Sequence, residues 1–150
     1  MSEGPRPEGA VVSAAEVAAL HQRATEVARN SYSPYSQFRV GAAVLMYADA
    51  GEREIVAGTN VENASYRLTS CAEQAAITAA VAQYGPGIRI RAVAVVNLNG
   101  AACTPCGACR QTILEFAGPE AAVFYPSGDG GVVATTIGEL LPAGFQLKRD

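Results

Sequence analysis

The sequence predicts an α/β protein: a mixed sheet of about five strands with helices layered on both faces. Three observations point there. Segments with helical apolar spacing alternate with short runs rich in β-branched residues. One of those runs, Ile90 to Val96 (IRAVAVV), is almost continuously apolar, as expected of a strand covered on both sides. A length of 150 residues suits one domain with a sizeable core.

Each element has a local reason. Residues 1–12 (MSEGPRPEGAVV) mix two prolines and two glycines with charges, and read as a disordered lead-in to a single domain over 13–150. Ser13 and Glu16 have capping-box spacing, and Val17, Leu20, Ala24 and Val27 then form one apolar helical stripe. The turn-rich SYSPYS, with Pro34, stops that helix. Phe38 to Tyr47 and Glu54 to Ala57 read as strands joined through Asp49-Ala50-Gly51. A second helix is expected from about Cys71 to Tyr84, ending at Gly85-Pro86. A third is expected to start at Pro105, a residue suited to the first helical position, and to stop at Gly118-Pro119. Ala122 to Tyr125 and Val132 to Thr135 read as short strands around SGDGG, and a short helix near Ile137 to Leu141 closes the chain.

Composition removes several functions. Net charge is −3 and the arginines are scattered, so no cationic stripe is available for a nucleic acid. No apolar run reaches the roughly 20 residues of a membrane span. The stretch Ala10 to Leu20 is broken by Glu16 and preceded by acids, unlike a signal peptide, so a cytoplasmic protein is expected. The single lysine, Lys148, lies near the C-terminus, which excludes a phosphate-loop or core Schiff-base lysine; the single histidine, His21, excludes multi-histidine metal sites and reads as a helix-face residue. Charged residues are only 17% against about 25% in an average domain, a hint of surface covered by other subunits.

The chemistry concentrates in S-C-A-E at Ser70 to Glu73 and C-T-P-C-G-A-C-R-Q at Cys103 to Gln111. Cys106 and Cys109 are three apart at a helix start, so both thiols can face one point. If that start converges with the helix opened by Cys71, three thiolates surround one zinc and a fourth tetrahedral position stays open for water, whose pKa falls toward about 7 on coordination. Three thiolates leave a net −1 on the site, which two helix N-termini, each with about half a positive charge, would temper; Arg110 would help if it turned inward. Glu73 then serves as proton shuttle. Its offset of about 200° from Cys71 on a regular helix keeps both from binding one metal from mid-helix, but at a helix start they can flank it. The same residues allow other readings: Glu73 as the partner of Ser70 in a capping box, Cys106 and Cys109 as a structural pair, and Cys103 with Cys71 completing a closed four-cysteine site.

Together, C-A-E followed by P-C-G-A-C resembles the zinc-dependent nucleoside and nucleobase deaminases. More narrowly, YSPYSQFRVGAAV (32–44), NVENASY (60–66), CAEQAA (71–76), PCGACRQ (105–111) and ELLPAGF (139–145) are similar to the small homotetrameric cytidine deaminases of three-cysteine type, in order and over most of the chain. The resemblance implies an α/β/α sandwich and hydrolytic deamination of cytidine and 2′-deoxycytidine to the uridines plus ammonia, in pyrimidine salvage. It implies that Cys71, Cys106 and Cys109 bind one Zn²⁺ and that Glu73 carries the protons. Asn60 and Glu62 would hold the sugar hydroxyls, Phe38 would lie against the base, and the backbone of Ala72 would meet the pyrimidine edge. Tyr66 and Phe145 would approach a neighbouring subunit's site. Two departures stand out. Gln74 replaces the arginine common after the glutamate, and Cys103 stands where a non-ligand is expected and reads as spare. Runner-up functions are deamination of another aminopyrimidine nucleoside, such as an antibiotic nucleoside, and a non-catalytic structural-zinc module.

Overall fold

The structure is a computed structural model describing residues 12–49 and 51–147; most of the expected lead-in, and Lys148, lie outside these residues. The elements are α1 (Ala14–Ala28), β1 (Val40–Ala48), β2 (Glu54–Thr59), α2 (Ala72–Tyr84), β3 (Ile88–Asn97), α3 (Gly107–Phe116), β4 (Ala117–Pro126), β5 (Val132–Thr136) and α4 (Ile137–Leu140), with a 3₁₀ turn at Tyr66–Leu68 before α2. Five strands form one sheet in the order β2-β1-β3-β4-β5. Only β3 and β4 pair in parallel, joined by the crossover through α3, so the sheet is mixed.

Alternation along β1 sends side chains into two cores. Ala43 and Leu45 join Leu20 and Ala24 under α1, while Val40, Ala42, Val44 and Met46 join Ala76, Ile77 and Ile113 under α2 and α3. This makes the expected three-layer sandwich. Strand β3 keeps the alternation across an irregularity: Leu45 faces Ala92 but Met46 faces Ile90, leaving Arg91 as an extra residue. Arg91 is held by the Tyr47 hydroxyl at 2.7 Å.

Two glycines set the layers close. A Cβ on Gly41 would stand 1.9 Å from the Ala24 carbonyl oxygen, so α1 lies directly on the β1 backbone. A Cβ on Gly58 would stand 2.3 Å from the Ala76 nitrogen and 2.9 Å from the Ala72 oxygen, so the first turn of α2 rests on β2.

The α1 start is as expected, with Ser13 and Glu16 forming a reciprocal capping box. Strands β1 to β5 differ from their expected ranges at one or both ends, β4 beginning at Ala117 and not at Ala122, and both ends of α3 differ. Helix α3 starts at Gly107 with Cys106 as its N-cap, not at Pro105, which is buried outside the helix. It ends at Phe116, and Gly118-Pro119 lie within β4. The proline is tolerated because β3–β4 pairing passes from Ile90↔Ala117 directly to Ala92↔Ala122, so residues 118–121 bulge from the ladder. Among the described residues no helix is long and apolar enough to cross a membrane.

Candidate metal and active site

Cys71 is the N-cap of α2 and Cys106 the N-cap of α3, both with extended backbone and neither with its side chain engaged in a cap hydrogen bond. A thiol is a poor cap, so these side chains are free to serve elsewhere. Cys109, one turn into α3, is 1% exposed. The Sγ atoms of Cys71, Cys106 and Cys109 all lie within 4.8 Å of one another. Sulfurs bound tetrahedrally to zinc at ~2.3 Å stand roughly 3.8 Å apart, so this set fits a zinc ion with small adjustments. Cys103 is not part of the cluster, and the closed four-cysteine arrangement does not form.

A hydrogen bond from Cys109, helped by Cys106, brings the Cys71 thiol down to about 7, while Cys109, as the donor beside that thiolate, is pushed up. Both helix N-termini point their unpaired N–H groups at this anionic centre. The side chain of Gln74 contributes a neutral donor, with Nε2 3.8 Å from Cys109 Sγ. Arg110 does not turn inward: its guanidinium donates to the carbonyls of Pro105 (2.7 Å) and Leu140 (2.9 Å), tying α3 to α4.

Glu73 is 5% exposed and shares the buried face of α2 with Ile77 and Ala80. It is not a capping residue, because the helix is capped at Cys71 and Glu73 is only the second helical residue. Since Cys71 is not helical, the 200° offset does not apply, and its thiol and the Glu73 carboxyl reach one cavity. Burial raises the Glu73 pKa, opposed by hydrogen bonds from its own N–H and from Cys109. A buried carboxyl beside a thiolate cluster is suited to carrying a proton.

The cavity has a volume of about 190 Å³. Besides Glu73 and the three clustered thiols, Phe38, Asn60, Ala72 and Cys103 line it. Burial, and then the charge of Glu73, push the Cys103 thiol up to about 11, so it remains a neutral wall. The other sequence candidates lie apart. Glu62 and Tyr66 line an adjoining depression that shares Thr69 with the cavity. Tyr66 is 78% exposed, with its ring edge-on to Tyr35. Phe145 is 68% exposed and bound through its backbone to the Gln111 side chain. His21 is a helix residue whose Nδ1 meets the Val17 carbonyl, remote from the thiols in the layer under α1.

Two further residues shape the site without being apparent from sequence. Gly58 seats the start of α2, and Ser36 bridges Glu62 to the Phe38 segment. Both sit among small or turn-forming residues, where no local pattern separates a spacer from a positioner.

Comparison with known proteins finds one family over most of the chain. The profile of the cytidine and deoxycytidylate deaminase zinc-binding region matches residues 15–125. Over 128 residues the chain is 44% identical to a cytidine deaminase of Mycobacterium tuberculosis, covering 85% of this chain and 88% of that one. A cytidine deaminase of Halalkalibacterium halodurans is 39% identical over 130 residues, 86% of this chain and 93% of its own. The crystal structure of the Mycobacterium tuberculosis cytidine deaminase superposes with a TM-score of 0.73 at 41% identity, covering 88% of this chain and 98% of that chain. A cytidine deaminase from Burkholderia pseudomallei superposes with a TM-score of 0.72 at 40% identity, covering 85% and 98%.

Proposed function

Because the chain belongs to the family of cytidine and deoxycytidylate deaminases, we propose that it hydrolyses cytidine and 2′-deoxycytidine to uridine and 2′-deoxyuridine, releasing ammonia. The observation that carries this reading is the joint opening of three clustered thiols and one buried carboxyl into a single small cavity. Four thiols on a closed metal would leave Glu73 without a task; three leave a coordination position beside it.

Cys71, Cys106 and Cys109 hold one zinc ion. When bound there, it supplies Lewis-acid activation of water at neutral pH. Glu73 takes one proton from the attacking water as its oxygen bonds to the amino-bearing carbon and passes that proton to the ring nitrogen; it then moves the proton left on the added hydroxyl to the departing amine as the carbon–nitrogen bond breaks and the carbonyl forms, so one water is consumed and one ammonia leaves. Its burial keeps this exchange away from bulk solvent and raises its proton affinity. Phe38 forms an apolar wall for the flat ring. The N–H of Ala72, in the first turn of α2, lacks an intrahelical partner and suits an acceptor on the pyrimidine edge. Asn60 uses Oδ1 for the Val40 N–H (3.0 Å) and Nδ2 for the Phe38 carbonyl (2.7 Å), leaving one amide hydrogen for a sugar hydroxyl. Glu62 supplies the second sugar contact.

The catalytic unit is assigned to 13–150, and the working form to a homotetramer. In support, Tyr66 and Phe145 present large aromatic surfaces to solvent, and Leu68 and Leu147 are exposed alongside. Four free cysteines are in keeping with a reducing, cytoplasmic setting. The test is ammonia release and loss of cytidine absorbance by protein of measured zinc content. Turnover of cytidine above that of modified aminopyrimidine nucleosides supports the reading; zinc-loaded protein that releases no ammonia from any of them overturns it and favours a structural-zinc module.

A further inference from the structure

The two polar residues assigned to the sugar both grip one short segment of backbone. Asn60 takes the carbonyl of Phe38 from one side. From the other side, the Ser36 hydroxyl donates to Glu62 Oε2, and Ser36 Oγ in turn accepts the Phe38 N–H at 3.0 Å. Glu62 Oε1 accepts the N–H groups of Tyr35 (2.9 Å) and Ser36 (3.1 Å). A carboxylate offers about four acceptor sites, three of which are filled here, so one remains on Oε2. The Ser36 hydroxyl is the largest influence holding Glu62 below the ordinary carboxylate range.

We propose that Ser36 is a positioning residue for the nucleoside: its hydroxyl joins Glu62 to the backbone of Phe38, so that the sugar acceptor and the aromatic wall for the base are held in one register. The proposal rests on the reading of Glu62 and Phe38 as sugar and base contacts. Its physical content is preorganisation. The backbone pairing between these segments is the single bridge Tyr32↔Val61, in which the Glu62 N–H donates to the Tyr32 carbonyl; beyond it, without the hydroxyl, the Glu62 carboxylate is restrained through Oε1 alone. Because Ser36 lines the adjoining depression and not the cavity that holds Glu73 and the thiols, its loss falls on binding and spares the chemical step.

Steady-state kinetics on zinc-loaded Ser36→Ala and Ser36→Thr, with calorimetric titration of uridine as a reading independent of turnover, test this. Ser36→Ala is expected to raise KM for cytidine and Kd for uridine about tenfold with kcat within about twofold. Ser36→Thr restores the hydroxyl at an exposed position and is expected to behave as the parent. In a Glu62→Gln background the further effect of Ser36→Ala is expected to shrink below about threefold, because the hydroxyl acts through that carboxylate. Unchanged KM and Kd in Ser36→Ala, equal losses in Ser36→Thr, a loss confined to kcat, or full additivity with Glu62→Gln overturns the proposal. Parent protein that binds uridine but does not deaminate cytidine would instead strike at the activity, while the uridine titrations still decide the role of Ser36.

Discussion

Cys71 and Cys106 stand at the same place in two different helices: each is the N-cap, each has extended backbone, and each leaves its thiol free to meet the other's beside Cys109. The equivalence matters electrostatically. A residue at an N-cap lies beyond the first unpaired N–H groups of its helix, so two positive helix ends converge on a centre that carries excess negative charge when three thiolates bind a divalent ion.

Glu73→Gln separates chemistry from folding. The amide matches the carboxyl in shape, and Glu73 takes no part in capping α2. Deamination is expected to fall by about 10²–10⁴-fold, with zinc per chain and melting temperature retained. Normal turnover by this variant would remove Glu73 from the mechanism.

Gly58→Ala tests whether the site depends on how closely α2 approaches β2. The added methyl meets the backbone of Ala76 and Ala72, neither of which can yield without moving the helix that carries Cys71 and Glu73. The expected cost is about 1–3 kcal/mol of stability, together with faster zinc loss to a chelator. A variant that melts and holds zinc like the parent would show that the helix start adjusts freely.

Zinc stoichiometry distinguishes the four cysteines. Cys103→Ala is expected to retain one zinc per chain, because its thiol lies outside the cluster and burial keeps it protonated to about 11. Alanine at Cys71, Cys106 or Cys109 is expected to abolish stoichiometric zinc. Metal loss from the Cys103 variant would indicate a four-sulfur site.

Gln74 supplies the neutral donor to Cys109. Gln74→Ala is expected to weaken zinc affinity about tenfold, in the range found for partners of metal ligands, measured by competition with a chelator. Gln74→Arg places a cation beside the thiolates and is expected to change zinc retention or turnover; identity with the parent in both would leave Gln74 without influence on the metal.

The capping box of α1 supplies a pH dependence remote from the site. Burial pulls the Glu16 carboxyl upward, but the Ser13 N–H and the Arg53 guanidinium at 2.6 Å outweigh it and hold the pKa below the ordinary value. Stability from a lowered carboxylate is present above its unfolded pKa of about 4.3 and is lost as pH falls through the folded value. Glu16→Gln, which can still cap, is expected to cost about 0.2–1 kcal/mol at pH 7. That difference is expected to shrink as melts are run at successively lower pH from the unfolded value downward and to close below the folded one; a gap that persists at the acid end would assign the effect to packing.

Much of this protein was readable in one dimension. Short-range spacing reports local structure directly, so the α1 cap, the two-sided strand β3, the order of elements and the Cys106–Cys109 pair all follow from neighbours in the chain. What the chain could not display is any relation made by two distant segments. Pro105 and Gly118-Pro119 look like helix punctuation, yet the N-cap passes to Cys106 and the glycine-proline pair enters a strand bulge, because pairing with β3 outweighs local preference. Arg110 looks poised for the thiolates, but two backbone carbonyls claim it. Glu73 reads equally as a cap or a proton carrier until packing buries it, and Ser36 and Gly58 take on their roles only when loops and layers close around them. Sequence marked the candidate ligands and the candidate carboxyl by their chemistry and spacing. Tertiary structure decided which of them share a cavity, because that depends on distances across space that no local periodicity encodes.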